Sequence, residues 1–103
     1  MNDLDVLLNI AIEEARAALA TAKTELKNAQ YAYAMELFLS ASATKQGVDR
    51  QTELRDKLST AFFDAKAKVL HAGRRVEWLM WLKPHLDSDQ SLRESLQKEL
   101  SLV

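Results

Sequence analysis

The sequence predicts an all-α protein: a long antiparallel helical hairpin followed by a short third helix. Three observations predict this fold. The 103 residues include only two glycines and one proline, so few positions favour a turn or end a helix. From residue 58 to 79, apolar side chains recur at alternating steps of four and three, which is the spacing of a coiled-coil helix. Residues 8 to 33 repeat this spacing, so the two segments can pair along one seam.

The first helix is expected over about residues 3–45, because Gly47 is the first Gly or Pro in the chain. Large and small apolar residues, mostly Leu and Ala, alternate along its seam, which allows a second helix to approach closely. Glu36 occupies a position that the strict heptad reserves for an apolar residue. The pattern therefore predicts that the seam moves by one place here, to Leu37.

A short turn at residues 46–48 is expected to connect the first helix to a second helix over about residues 49–83. Gly47 can adopt the left-handed backbone conformation that closes a helix, and Asp49 can cap the next helix. A connection this short forces two long helices to lie side by side and antiparallel.

Antiparallel pairing about this turn sets apolar residues opposite one another along the whole seam. The partners are residues whose numbers sum to 94 or 95. The predicted pairs are Leu8 with Leu86, Ile12 with Leu82, Ala15 with Leu79, Leu19 with Val76, Ala22 with Ala72, Leu26 with Val69, Ala29 with Ala65, Tyr33 with Phe62, and Leu37 with Leu58.

Pro84 is expected to end the second helix, since it lacks an amide hydrogen and restricts the residue before it. A corner at residues 84–87, with Asp87 or Ser88 as the next cap, then leads to a third helix over about residues 88–101. Leucines recur every four residues in this helix. They are predicted to cover Trp78 and Trp81 at the open end of the hairpin, which would make both tryptophans part of a core. The alternative is an aromatic anchor for a partner.

Apolar residues that lie off the seam predict an interface with another protein. The first helix keeps a surplus apolar face that meets a second such face on the other helix, and a patch of this size is unusual on a monomer. We therefore expect a homodimer, in a four-helix bundle, with a further protein partner as an additional possibility. The predicted interface residues are Tyr31, Met35, Phe38, Leu39, Phe63 and Leu70.

A basic stretch on the second helix supports an alternative function. Its residues are Lys66, Lys68, His71, Arg74 and Arg75. Cations at helical steps of three and four can contact phosphates, which would make the chain a nucleic-acid-associated accessory protein. Acids bracket this stretch, however, and a solvated helix face is the stronger explanation for it.

No catalytic, metal-binding or cofactor-binding group is predicted. The chain has no cysteine, so thiol chemistry and thiolate metal ligands are excluded. His71 and His85 stand fourteen residues apart, and neither has a second ligand at a helical spacing. Gly73 lies within the second helix, where we expect it to allow close packing of another helix. The sequence therefore predicts a protein that is not an enzyme and needs no cofactor.

Charge and hydropathy favour a soluble cytoplasmic protein with a single domain over residues 1–103. The net charge of −1 gives no bulk attraction to nucleic acid or anionic lipid. Asp3 and Asp5 stand where a signal peptide would carry basic residues. No apolar run approaches the roughly 20 residues that span a membrane, and the lack of cysteine fits a reducing compartment.

The two-helix layout resembles the small secreted hairpin proteins of the Trp-x-Gly family, which dimerise into four-helix bundles. The turn here reads Thr44-Lys45-Gln46-Gly47-Val48 and contains no tryptophan, so the family's properties are not transferred to this chain. The alanine-rich style is also similar to small accessory proteins of phage and bacterial gene clusters, including inhibitors of host systems. That resemblance implies a protein-binding function.

Overall fold

The computed structural model describes residues 3–42 and 48–100, and these residues are helical except for Asp89 and Leu100. Helix α1 comprises Asp3–Ser42, α2 Val48–Ser88 and α3 Gln90–Glu99. The all-α fold class is thus confirmed for these residues. Gly47, on which the predicted turn depends, lies outside the described residues.

The chain forms two compact units, and α1 and α2 contribute to both. One unit, the terminal unit, contains the residues up to Leu19 and those from Ala72 onward. The other, the central unit, contains residues Ala20–His71.

The core of the terminal unit lies between the start of α1, the end of α2 and α3. Its buried members are Leu4, Leu8, Ile12 and Leu86, and the half-buried leucines packed against them are Leu79, Leu82, Leu92 and Leu96. Because the beginning of α1 meets the end of α2, the two helices are antiparallel in this unit. The predicted partners Leu8 and Leu86 share this core, as the predicted register requires.

Helix α2 does not end at Pro84, which corrects the predicted helix end and the predicted corner at 84–87. The helix continues to Ser88 with Pro84 inside it. Continuation places Leu86 on the same face as Leu79, seven residues earlier, and Leu86 is only 1% exposed. A proline inside a helix costs about 3 kcal/mol, while burying a leucine contributes about 1.5–3 kcal/mol, so the burial of Leu86 offsets much of that cost.

Helix α3 begins two residues later than predicted, and its cap is neither Asp87 nor Ser88. Asp89 is the N-cap, and its carboxylate accepts a 3.1 Å hydrogen bond from the amide of Leu92. The leucines of α3 pack on the core around Leu86. They leave Trp78 71% and Trp81 61% exposed, so the predicted burial of the tryptophans is wrong.

Gly73 does not mark a close approach to another described helix. An alanine Cβ at this position would have no neighbouring atom within 4 Å. The prediction of close packing at Gly73 is therefore wrong within the part of the chain that the structure describes.

In the central unit, α1 and α2 are again antiparallel and follow the predicted register. The rings of Tyr33 and Phe62 stack with their centroids 5.7 Å apart. Leu26 and Val69, another predicted pair, line one groove. Ala65 is buried at 7% exposure, which suits the large-and-small alternation of a closely packed seam.

The seam of α1 does not move to Leu37, which corrects the predicted register shift. Glu36 is 8% exposed whereas Leu37 is 41% exposed. Glu36 follows Tyr33 by three residues, so the strict heptad continues through it. Moving the seam by one residue would rotate this helix by about 100° relative to its partner. The helix keeps its orientation instead, and the carboxylate of Glu36 is buried.

Candidate protein-binding surface

The end of α1 in the central unit has an inverted pattern of polar and apolar residues. Between residues 28 and 41 the only charged residue is Glu36. Glu36 faces α2 and is buried, while five large apolar residues of the same stretch are exposed: Tyr31, Met35, Leu37, Phe38 and Leu39. An ordinary helix on the surface of a protein places its apolar face inward and its charges outward.

The outward face is built from large side chains that repeat at helical spacing. Tyr31 is 69% and Phe38 is 68% exposed, and they point in the same direction because they are seven residues apart. Met35 lies between them at 43% exposure, followed by Leu39 at 50%. We call these four residues the α1 patch.

The inward face of the same stretch carries polar groups in an otherwise apolar seam. The hydroxyl of Ser40 donates a 3.2 Å hydrogen bond to Oε1 of Glu36. On α2, Arg55 lies three residues before the seam residue Leu58, and its buried Nε has no hydrogen-bond partner. Within the described residues, the ion pairs join Lys68 to Glu25 and Arg93 to two aspartates, and none includes Glu36.

The predicted interface residues of α2 form a second, separate surface. Phe63 is 59% and Leu70 is 54% exposed. Lys66 lies between them on the same side of α2, and its Nζ is 5.3 Å and 5.8 Å from the ring centroids of Phe62 and Phe63. Next to it is an open groove of about 400 Å³, lined by Leu26, Lys66, Ala67, Val69 and Leu70.

The two surfaces lie on different flanks of the central unit. Nζ of Lys68 is 3.8 Å from a carboxylate oxygen of Glu25, which defines one flank. Leu39 is fourteen residues after Glu25 and therefore lies on this flank, whereas Lys66 and the groove occupy the opposite flank. The structure thus does not join the six predicted interface residues into a single patch. Leu54, 46% exposed and fourteen residues before Lys68, extends the first flank, and its heptad position could have identified it.

The basic residues of α2 are not equivalent. Lys66 covers two phenyl rings and Lys68 pairs with Glu25, on opposite flanks of the central unit. His71 is exposed in the same unit, whereas the exposed Arg74 and Arg75 belong to the terminal unit. The five basic residues of the predicted stripe therefore lie in different surroundings.

A polar cluster in the terminal unit fixes α3 beside α1 and α2. The Arg93 guanidinium donates hydrogen bonds to Asp5 at 3.0 Å, to Asp87 at 3.2 Å and to the carbonyl of Leu86 at 3.3 Å. The hydrogen bond with Asp5 is the largest cause that raises the pKa of Arg93; desolvation lowers it, and the nearby carboxylates raise it further. An arginine side chain is charged at physiological pH, and these hydrogen bonds give the cluster a structural role.

The described residues bring together no group of three or more His, Asp or Glu side chains that could bind a metal ion. None of the helices, over the part of the chain described, combines the length and apolar character needed to cross a membrane.

Comparison with protein families, with curated proteins and with solved structures finds no match to this chain.

Proposed function

We propose that this protein is a non-enzymatic helical interaction module that acts as a homodimer through the α1 patch. The observation that supports this proposal is the inverted pattern between residues 28 and 41, where the single carboxylate is buried and two aromatic rings are more than two-thirds exposed. Such a pattern lowers the stability of an isolated chain. It becomes favourable when a second protein covers the outward face.

A second copy of the chain is the partner that the charge pattern favours. In a two-fold symmetric dimer the patch of one copy contacts the same patch of the other copy. Any net charge on the patch would therefore face an equal charge of the same sign. The α1 patch carries no charge, because Glu36 is turned inward. Two copies can therefore meet there without electrostatic repulsion, and the four α1 and α2 segments of two central units would form a four-helix arrangement.

The size of the patch predicts a reversible dimer. Covering four side chains that are 43–69% exposed contributes about 1–2 kcal/mol for each, or on the order of 10 kcal/mol for two copies. Association itself costs about 4–15 kcal/mol. These two free energies are similar, so the ratio of monomer to dimer should depend on protein concentration. A further protein could compete for the same patch.

Sedimentation velocity across the micromolar range tests this proposal. The wild-type chain should shift from monomer towards dimer as its concentration rises. Phe38→Asp should remain monomeric, because the dimer would bury two carboxylates beside each other. Thr60→Asp is the matched control, since it adds the same charge at an exposed position of α2 in the same unit.

Circular dichroism must show that both variants keep their helices. A wild-type chain that stays monomeric at every concentration would refute the homodimer. Equal weakening of the dimer by Thr60→Asp and Phe38→Asp would place the contact elsewhere.

A further inference from the structure

The outer side of α2 in the terminal unit displays both tryptophans of the chain. Trp78 is 71% and Trp81 is 61% exposed. They are three residues apart, so their side chains are neighbours on one side of the helix. Leu79 and Leu82, which directly follow Trp78 and Trp81, are turned towards the core. On this stretch of α2 the other exposed large apolar side chain is Met80, at 43%. The exposed apolar surface of the stretch therefore consists of the two tryptophans and Met80.

Basic residues stand at both ends of this pair. Arg74 and Arg75 precede Trp78 by one helical turn, and His85 follows Trp81 by one turn. The His85 ring stacks on Trp81 with centroids 3.9 Å apart, and its Nδ1 lies 2.8 Å from the Trp81 carbonyl, which can only accept a hydrogen bond. From residue 73 to 86 the only acid is Glu77.

We propose that Trp78 and Trp81 form a stacking platform for the unpaired bases of a single-stranded nucleic acid, with Arg74 and Arg75 beside its phosphates. Every base has a π face that can stack on an indole ring, so this mode of binding needs no particular sequence. Residues three apart on a helix surface have Cβ atoms about 5–6 Å apart, so the two indole side chains start from neighbouring positions. Two adjacent bases of one strand could therefore use them together.

The surroundings of the tryptophans favour this ligand over a lipid surface or another protein. A helix that lies in a membrane interface presents a continuous apolar face, but the leucines of this stretch face the core. The centre of a protein interface is depleted of charged residues, whereas Arg74, Arg75 and Glu77 lie within one helical turn before Trp78. Cations next to exposed aromatic rings match a ligand that alternates flat bases with anionic phosphates.

This inference is independent of the proposed homodimer, because it concerns a different unit and different residues. It also differs from a purely electrostatic stripe along α2. Lys66 and Lys68 already cover rings and pair with an acid in the central unit, and the platform does not need them.

Intrinsic fluorescence is a direct probe, since the chain contains only these two tryptophans. Oligothymidylate added to the full chain should quench the emission and saturate. Two phosphate contacts on a single strand predict that affinity falls about sevenfold when salt rises fourfold. Anisotropy of a labelled oligothymidylate measures the same binding without relying on the tryptophans.

Variants separate stacking from charge. Trp78→Ala and Trp81→Ala should each weaken binding by about tenfold, and circular dichroism should be unchanged because both side chains are largely exposed. Arg74→Ala with Arg75→Ala should weaken binding and flatten its salt dependence while both fluorophores remain. Phe38→Asp, which tests the homodimer, should bind oligothymidylate as the wild type does.

Polyglutamate and vesicles of phosphatidylcholine with phosphatidylserine complete the test. Quenching by polyglutamate as strong as that by oligothymidylate would overturn the stacking proposal in favour of a general polyanion site. A blue shift with vesicles and no response to oligothymidylate would overturn it in favour of a membrane surface. Absence of any quenching or anisotropy change at low salt would also overturn it.

Discussion

Replacing Glu36 by leucine should make the protein more stable, although this residue is buried in the seam. Glu36 is 8% exposed, and Ser40 is the partner that donates to it. Full burial of a leucine side chain contributes about 1.5–3 kcal/mol. Loss of the Ser40 hydrogen bond subtracts about 0.5–1.5 kcal/mol, while removal of a desolvated carboxylate adds to the gain.

The net expectation for Glu36→Leu is an increase of about 1–3 kcal/mol in the free energy of unfolding. In a domain of this size, each kcal/mol raises Tm by about 4–8 °C. Urea unfolding followed by circular dichroism, at one fixed protein concentration, measures the change. Glu36→Gln should show a smaller gain, because it removes the charge but keeps a polar group that Ser40 can donate to.

Glu25→Leu is the matched control on the same helix. Glu25 and Lys68 have side chains that are 52% and 68% exposed, and an exposed ion pair contributes about 0–1 kcal/mol. The control should therefore change stability little. A loss of about 3–5 kcal/mol in Glu36→Leu would refute the reasoning, because it is the cost of breaking a buried charge pair and would make Arg55 the true partner of Glu36.

Two further substitutions test local features of the terminal unit. Gly73→Ala should raise the free energy of unfolding by about 0.5–1 kcal/mol in the same urea experiment, since the added methyl group meets no atom within 4 Å; a loss of stability would reveal a neighbour at this position. Arg93→Ala should speed amide hydrogen exchange in α3, because it removes the hydrogen bonds to Asp5, Asp87 and the Leu86 carbonyl. Lys98→Ala, on the same helix but exposed, should leave that exchange unchanged.

The helix pairing could be predicted from the sequence because it depends on a repeated pattern. Each apolar layer restricts the register, so agreement along the whole seam leaves few alternatives. The stacking of Tyr33 on Phe62 follows from this pattern, as does the shared core of Leu8 and Leu86.

Single-residue rules failed where the repeated pattern opposed them. One such rule is that a carboxylate is excluded from an apolar seam, and another is that a helix ends at a proline. Glu36 stays in the seam and Pro84 stays in α2, since neighbouring layers determine the rotation of each helix. For the same reason Trp78 and Trp81 are exposed: Leu79 and Leu82, which directly follow them, already occupy the core positions.

The candidate surfaces were predictable only in part. Their residues could be recognised as apolar and off the seam, but assigning them to flanks requires knowledge of which side chains meet. The pairing of Lys68 with Glu25 and the position of Lys66 over Phe62 supply that knowledge. Without it, residues on opposite flanks were predicted to form one patch.

The inverted pattern can itself be tested by reversing it. An isolated chain would be more stable with leucine at position 36 and a charged residue at position 38. The natural arrangement therefore lowers the stability of the single chain and leaves its outward face uncharged. The double variant Glu36→Leu with Phe38→Glu restores the ordinary pattern, with its apolar residue in the seam and its charge in solvent. It should be more stable than Phe38→Glu alone and should sediment as a monomer at every concentration. Dimerisation of the double variant as strong as that of the wild type would show that the inversion has no role in association.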